Sequence, residues 1–244
     1  MSKSEQITAA VLVIGDEILS GRTKDTNSGY IAEYLTNIGV DLMEIRVVSD
    51  VMETIVETVR TLSEKYTYVF STGGIGPTHD DITADAMAAA FNVGIDHNED
   101  AIAMMKAHYP PDVDLNEARL RMARIPFGAS LIVNKASAPP GFKIENVHVM
   151  AGVPAVMRAM LDEIGPTLAT GKLVLSRTLP FTKGEGTIAK GLGAIQDDFE
   201  DVSIGSYPTM LNGKFMTNIV MRGRDEARLD TAEKAVAQLI EKLS

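Results

Sequence analysis

The side chains able to do chemistry in this sequence are carboxylates, and they fall in three short clusters: Asp16 with Glu17, Asp50 alone, and Asp80 with Asp81. The third cluster sits in Y-T-Y-V-F-S-T-G-G-I-G-P-T-H-D-D-I-T-A-D-A-M-A-A-A-F, residues 66–91, where an apolar run opens into a glycine-rich loop and then an alanine-rich segment. Gly73, Gly74 and Gly76 let the backbone take positive φ and come close to a ligand, and Pro77 stiffens the way out of the turn. Thr83 is expected to cap the following helix, with Asp85 in its first turn, so that backbone N–H groups and the positive dipole end face the loop. Such an end suits a phosphate. A nucleoside-triphosphate P-loop needs Gly-Lys-Ser/Thr, and no lysine lies between Ser71 and Phe91, so this is not a Walker loop. Asp80 and Asp81 would repel a bare polyphosphate, and a divalent cation held by one or two carboxylates plus phosphate oxygens removes that conflict. The plainer reading is that both aspartates turn the chain and favour the helix start.

The elements that must position these groups alternate. Residues 9–14 (A-A-V-L-V-I) are continuously apolar, as in a parallel strand buried on both faces, and end in Gly15-Asp16-Glu17. Asp25, Thr26 and Asn27 offer caps for a helix with Ile31, Tyr34, Leu35 and Ile38 on one face and Gly39 as its stop. Residues 42–48 read as the second strand; Asp50 followed by Glu53 reads as a capped start for a helix burying Ile55, Val56, Val59 and Leu62. Residues 66–71 are the third strand. Later come a helix capped by Asn98 and stopped by Pro110-Pro111, a helical piece over 116–123, strands over 131–133 and 147–150, and a helix after Pro154. This order predicts βαβ units, hence an α/β three-layer αβα domain with a mostly parallel sheet over residues 1–166. After Gly165-Pro166 the pattern changes to β-α-β-β-α, with a hairpin about Asn212-Gly213, which predicts a small α+β domain over 167–244.

Composition narrows the partners. With 33 acidic against 23 basic residues, the net charge of −10 is opposite to the footprint of nucleic-acid binding. An anionic nucleotide must then find local positive charge from a cation or from residues such as Arg22 and Lys24. There is no cysteine, so thiolate metal sites and thiol nucleophiles are excluded and the cytoplasm is the expected compartment. No run of eighteen apolar residues could span a bilayer. No haem, flavin prosthetic group or Fe–S cluster is expected.

The combined motifs resemble the MoaB/Mog-like molybdopterin-binding domain family over essentially the whole chain. They are Gly15-Asp16-Glu17 with Gly21 and Asp25-Thr26-Asn27, Thr72-Gly73-Gly74-Ile75-Gly76-Pro77-Thr78, Asp80-Asp81-Ile82-Thr83, and Pro140-Gly141-Phe142. Within that family the chain is most similar to the N-terminal part of the competence/damage-inducible CinA proteins and to the corresponding domain of eukaryotic FAD synthases. The resemblance implies that Asp81, Asp50, Asp16 and Glu17 are the catalytic candidates. It implies phosphate or ligand contacts from Gly15, Asn27, Thr72, Gly73, Gly74, Gly76, Pro77, Thr78 and Gly152. A divalent cation (Mg, Mn or Co) would be held by Asp50, Asp80 and Asp81, with His79, which stands where many CinA-type relatives have lysine, as a further candidate ligand. Ala151-Gly152-Val153-Pro154 departs from the usual Pro-Gly-x-Pro of relatives. The leading expectation is a metal-dependent pyrophosphohydrolase of a dinucleotide such as ADP-ribose or FAD, with Asp16 or Glu17 as base. The alternatives are molybdopterin binding or adenylylation, and a non-catalytic nucleotide-binding role. A homo-oligomer is also implied by the family.

Overall fold

The computed structural model describes residues 6–110, 112–211 and 213–243, so Pro111 of the expected helix stop and Asn212 of the expected hairpin turn lie outside the described residues. The chain divides into two compact units, Met1–Gly171 and Lys172–Ser244. Gly165-Pro166, where the sequence pattern changes, lies in a single 3-10 turn, Gly165–Thr167, of the first unit.

In chain order the first unit is β1 (Thr8–Ile14), α1 (Asp16–Leu19), α2 (Asn27–Asn37), β2 (Asp41–Val48), α3 (Met52–Lys65), β3 (Tyr68–Thr72) and α4 (Thr83–Ala90). Next come β4 (Ile95–His97), α5 (Glu99–His108), α6 (Glu117–Arg121), β5 (Arg124–Pro126), β6 (Ser130–Ile132), β7 (Gly141–Ile144), β8 (Val147–Met150) and α7 (Pro154–Ile164). The main sheet runs β2-β1-β3-β8-β7-β6. β2, β1, β3 and β8 are parallel, whereas β7 is antiparallel to both β8 and β6. Both faces of β1 are buried, which is what its unbroken apolar run requires. On one face Val11, Val13 and Phe70 pack with Ile31 and Leu35 of α2 and Leu161 of α7. On the other, Leu12 and Val69 pack with Ile55 and Leu62 of α3 and Met87 of α4. The domain is therefore three-layered, with strand order reversing between β1 and β3, the place where such sheets open a crevice at their carboxyl ends.

Two expected caps are corrected. Thr83 is the first helical residue rather than the cap of α4, and its buried hydroxyl donates instead to the Gly73 carbonyl at 3.0 Å. Asp50 does not cap α3, whose N-cap position is Val51; its carboxylate accepts the Asp16 N–H at 2.9 Å. Asn98 does cap α5, accepting from Ala101, and Asn116 caps α6, accepting from Arg119.

The second unit is β9 (Leu175–Phe181), α8 (Glu185–Asp198), β10 (Ser203–Leu211), β11 (Lys214–Gly223) and α9 (Glu226–Leu243), the expected β-α-β-β-α order. Its antiparallel sheet, β10-β11-β9, packs Phe181, Ile219 and Met221 against Ile188 of α8 and Leu229 and Val236 of α9. β10 includes Pro208, which an edge strand tolerates because no ladder hydrogen bond is demanded of it on the open side. Among the described residues no helix is long and apolar enough to cross a membrane.

His148 on β8 gives the first unit a pH dependence. It is 2% exposed, its ring stacks on Phe70 with centroids 5.2 Å apart, and Nδ1 has no partner. Burial, followed by the Lys143 charge, pulls its pKa down from 6.5 to about 4. The unfolded chain takes up this proton while the native one resists it, so the stability is fully present above pH 6.5 and is lost as pH falls toward 4. The loss amounts to about 3 kcal/mol at 1.36 kcal/mol per pKa unit. Urea unfolding across that window should show this slope in the native protein, and His148→Phe should flatten it relative to the parent. Identical slopes in the two proteins would mean that His148 does not titrate on unfolding.

Candidate functional site

The carboxyl ends of β1, β3 and β8 meet at one place. β1 closes at Gly15, whose N–H donates to Val48 of β2 at 3.1 Å, and α1 starts at once. The Glu17 carboxylate folds back over Gly15, where a Cβ would overlap it. Asp50, arriving from the end of β2, is tied to the same corner by the Asp16 N–H. Burial raises the Asp50 pKa; the Asp16 N–H counteracts, and the negative charges of Asp16, Glu17 and Asp80 raise it further. The clusters at 16–17, 50 and 80, distant in sequence, thus share one electrostatic neighbourhood.

The glycine loop is drawn tightly across this corner. Gly73 and Gly74 take φ of 100° and 66°, conformations open to glycine and strained for other residues. Gly73 donates to the Met150 carbonyl at 3.2 Å, and the Gly74 carbonyl accepts the Thr83 N–H at 3.0 Å. Asp81 accepts both the N–H and the hydroxyl of Thr78, at 2.8 and 2.5 Å, so its carboxylate is committed to closing the loop. The chain bends there without side-chain room, since a Cβ on Gly76 would stand 2.7 Å from the Asp81 carboxylate. His79 projects into solvent, 3.9 Å from Asp80, which is itself 68% exposed.

These walls enclose a cavity of about 480 Å³ bordered by Glu17, Gly73, Gly76, Asp81, Gly152 and Met160, among others. It adjoins two small recesses. One, about 60 Å³, is shared by Glu17, Lys24, Asn27, Thr72, Gly73 and Gly152. Asn27 there donates to the Gly152 carbonyl at 2.8 Å, while its Oδ1 is buried without a partner. The other, about 20 Å³, lies among Gly74, Gly76, Asp81 and Arg121. Arg121 holds the Asp81 carbonyl at 3.0 Å and keeps a buried, unpartnered Nε, while Arg124 grips Asp85 through two bonds of 2.9 and 2.6 Å.

Among the described residues no three His, Cys, Asp or Glu side chains are gathered as a metal ion would need. Asp50, Asp80, Asp81 and His79 therefore do not form a preassembled ligand set: Asp81 is turned onto Thr78 and His79 points away. Thr72, Gly152 and Asn27 line the cavity or its recess, whereas Gly15 lies beneath the Glu17 carboxylate, which borders both. Arg121 and Arg124 were not singled out from the sequence. Their signal is the basic run Arg119, Arg121, Arg124 in an otherwise acidic chain.

Residues 10–170, well over half of the chain, match the family model described as "Probable molybdopterin binding domain". The chain belongs to the molybdopterin-binding domain family. Beyond this domain, residues 173–244 match the model for "FAD synthase, middle domain". A crystal structure of CinA from Thermoplasma acidophilum, described as of unknown function, is 35% identical with a TM-score of 0.62, covering 66% of this chain and 96% of that one. A protein of Archaeoglobus fulgidus is 33% identical over 231 residues, 94% of this chain and 96% of its own length. A "Probable FAD synthase" of Caenorhabditis elegans is 32% identical over 258 residues, 96% of this chain and 50% of its own length. The chain thus spans about half the length of the nematode relatives it matches, and 64% of a relative from Caldivirga maquilingensis. In this molybdopterin-binding domain the glycine loop, Glu17 and the Asn27 recess all open on one cavity, while Asp50 stands behind Glu17, bonded to the neighbouring Asp16 N–H.

Proposed function

We propose that this chain binds a phosphorylated pterin or nucleotide, of the molybdopterin kind named by its family, across the carboxyl ends of β1, β3 and β8. The observation that carries the reading is the polarity of the cavity. In the recess at one side, among Gly74, Gly76 and Asp81, stand the Arg121 Nε without a partner and the first turn of α4 at Ala84 and Asp85. At the other stand acceptors: the orphan Asn27 Oδ1 and the Glu17 carboxylate. A buried acceptor without a partner costs roughly 1–3 kcal/mol until a donor reaches it, and a phosphate diester or internal pyrophosphate group carries no proton to offer. A heterocycle with N–H groups, attached to phosphate, satisfies both sides.

Calorimetric titration of the full chain with molybdopterin, ADP-ribose, FAD and inorganic pyrophosphate tests this. The two-ended ligands should bind saturably and pyrophosphate much more weakly. Asn27→Leu should weaken the two-ended ligands by about tenfold, the value of one hydrogen bond, and leave pyrophosphate unchanged. Absence of saturable binding by every member of the panel would overturn the reading.

The Asp50 corner favours a second reading, hydrolysis of the ligand's pyrophosphate. All its donor atoms are oxygens, which fits a hard cation such as Mg²⁺, and the shortage of gathered protein ligands fits an ion whose shell the substrate phosphates complete. Asp50 and Asp80 would hold such a cation, and when bound it would neutralise phosphate charge and lower the pKa of a water. Glu17, bordering both the cavity and the Asn27 recess, is preferred to Asp16 as the base that takes the proton. AMP release from ADP-ribose or FAD that needs Mg²⁺, Mn²⁺ or Co²⁺ and stops with chelator would support hydrolysis. Tight binding with no release in any metal leaves a binding protein, and adenylylation of molybdopterin is read separately as ATP-dependent adenylate formation.

A further inference from the structure

The sheet of the second unit has one face turned away from α8 and α9. Ile219 and Met221 of β11 point into the core shared with these helices, so strand alternation turns Asn218, Val220 and Arg222 to the other side. The register sets Tyr207 and Pro180 beside Asn218, Gly205 and Thr178 beside Val220, and Ser203 and Ser176 beside Arg222. These groups form three successive cross-strand rows on one surface.

The rows differ in what they offer. Tyr207 is 56% exposed, and its ring bends back along β10 over Gly205, where a Cβ would stand 2.9 Å from the ring carbon Cε2. The missing side chain lets the ring rest on the strand, and an aromatic ring held there beside solvent is a stacking surface for a planar heterocycle. Arg222 lies one row beyond Gly205, roughly 7 Å along the strand. It is exposed and, among the described residues, forms no ion pair. Arg177, on the helix side, is by contrast taken up by Glu226, Asp230 and Glu233. Ser203 and Ser176 flank Arg222 with a hydroxyl on either side. The three strands contain no Asp or Glu, in a chain with 33 of them, so they present no carboxylate to repel an anion.

We propose that this face binds a nucleoside monophosphate, with the base stacked on Tyr207 and the phosphate held by Arg222 between Ser203 and Ser176. The ribose crosses the row between them, over Val220. One free guanidinium serves one phosphate, and a net charge of −10 opposes a long polyanion, so the ligand is a single nucleotide rather than a strand of RNA. The site lies within the second unit and is independent of the cavity reading given for the first.

Two-dimensional NMR of the full chain tests it, read at the Val220 amide so that binding in the first unit is not counted. AMP should shift this amide saturably. Tyr207→Leu and Arg222→Met should each weaken AMP by about tenfold, and Arg222→Met should leave adenosine unchanged. Gly205→Ala keeps Tyr207 but lifts its ring from the strand, and should weaken AMP by about as much. All three positions lie outside the core of the unit, so the variants should match the parent by circular dichroism. A short oligoribonucleotide should bind no more tightly than AMP. The proposal is overturned by the absence of a saturable shift with AMP, by an affinity that any of the three variants leaves unchanged, or by tighter binding of the oligonucleotide.

Discussion

Replacing Gly73 with alanine should abolish ligand binding and cost the first unit about 3 kcal/mol or more, at the severe end for single substitutions. Two separate penalties add. At φ 100° a side chain is strained wherever it sits, by roughly 1–3 kcal/mol. A Cβ there would also land on the Ile14 carbonyl oxygen, a backbone atom of the central strand that cannot swing aside. Relief requires β3 to withdraw from β1, which breaks the Gly73 bond to Met150 and drags Gly152 with it, since the Gly73 and Gly152 backbones lie against each other. Gly21→Ala is the control. Gly21 also has positive φ, 72°, but a Cβ meets nothing within 4 Å, so only the conformational cost of about 1 kcal/mol applies. Urea unfolding and ligand titration of both variants measure the difference. Comparable stability losses would mean that the loop moves freely and is not the rigid cradle described above.

Asp50→Asn should separate binding from turnover. If Asp50 takes part in hydrolysis, AMP release should fall by about 10²–10⁴-fold, the usual range for losing a positioned acid–base or charged group. Binding of the two-ended ligands should persist or tighten, because one of the negative charges facing their phosphates is gone. Stability should move the other way from most active-site losses. The folded-state pKa of Asp50 is raised, so its charged form works against the fold once pH is above that value, and the penalty fades as pH falls below the ordinary carboxylate range. Asparagine can still accept the Asp16 N–H without the charge, so the variant should melt higher than the parent near neutrality and equal to it in acid. A variant that binds and releases AMP like the parent would remove Asp50 from any catalytic part. One that melts lower would show that the charge, not the hydrogen bond alone, holds the corner.

The alternation that defines the first unit was readable because it is written in runs longer than one turn. β1 is an unbroken apolar stretch, and α3 repeats its apolar residues at helical spacing. β6 answers to the short strand expected over 131–133, but β4 and β5 are three residues each, too short for any period, and β7 opens directly on Gly141, so the antiparallel pairing of β7 with β6 and β8 was invisible. The site was legible in its residue types but not in its bonds. Helix-start rules are local, and they assigned Thr83 and Asp50 to caps. In the fold Thr83 answers a carbonyl ten residues back and Asp50 an N–H thirty-four residues back. Arg121 reaches Asp81 across forty residues, a meeting that no spacing rule could foresee. Asp81 carried the right chemistry for a cation, yet Thr78, three residues before it, had first claim on its oxygens.

The first turn of α4 has one more consequence. Thr83 holds two successive carbonyls of the loop, Gly73 through its hydroxyl and Gly74 through its N–H, while Asp81 and Arg121 fasten the far end. The glycines, the residues with the most freedom to lose, are thus immobilised during folding rather than on encounter. A ligand arriving here meets a surface already cast, so little of its interaction energy is diverted into ordering the chain. For the ligand proposed above, recognition at this loop would be set by folding itself, and selectivity would fall to the parts of the cavity that reach beyond it.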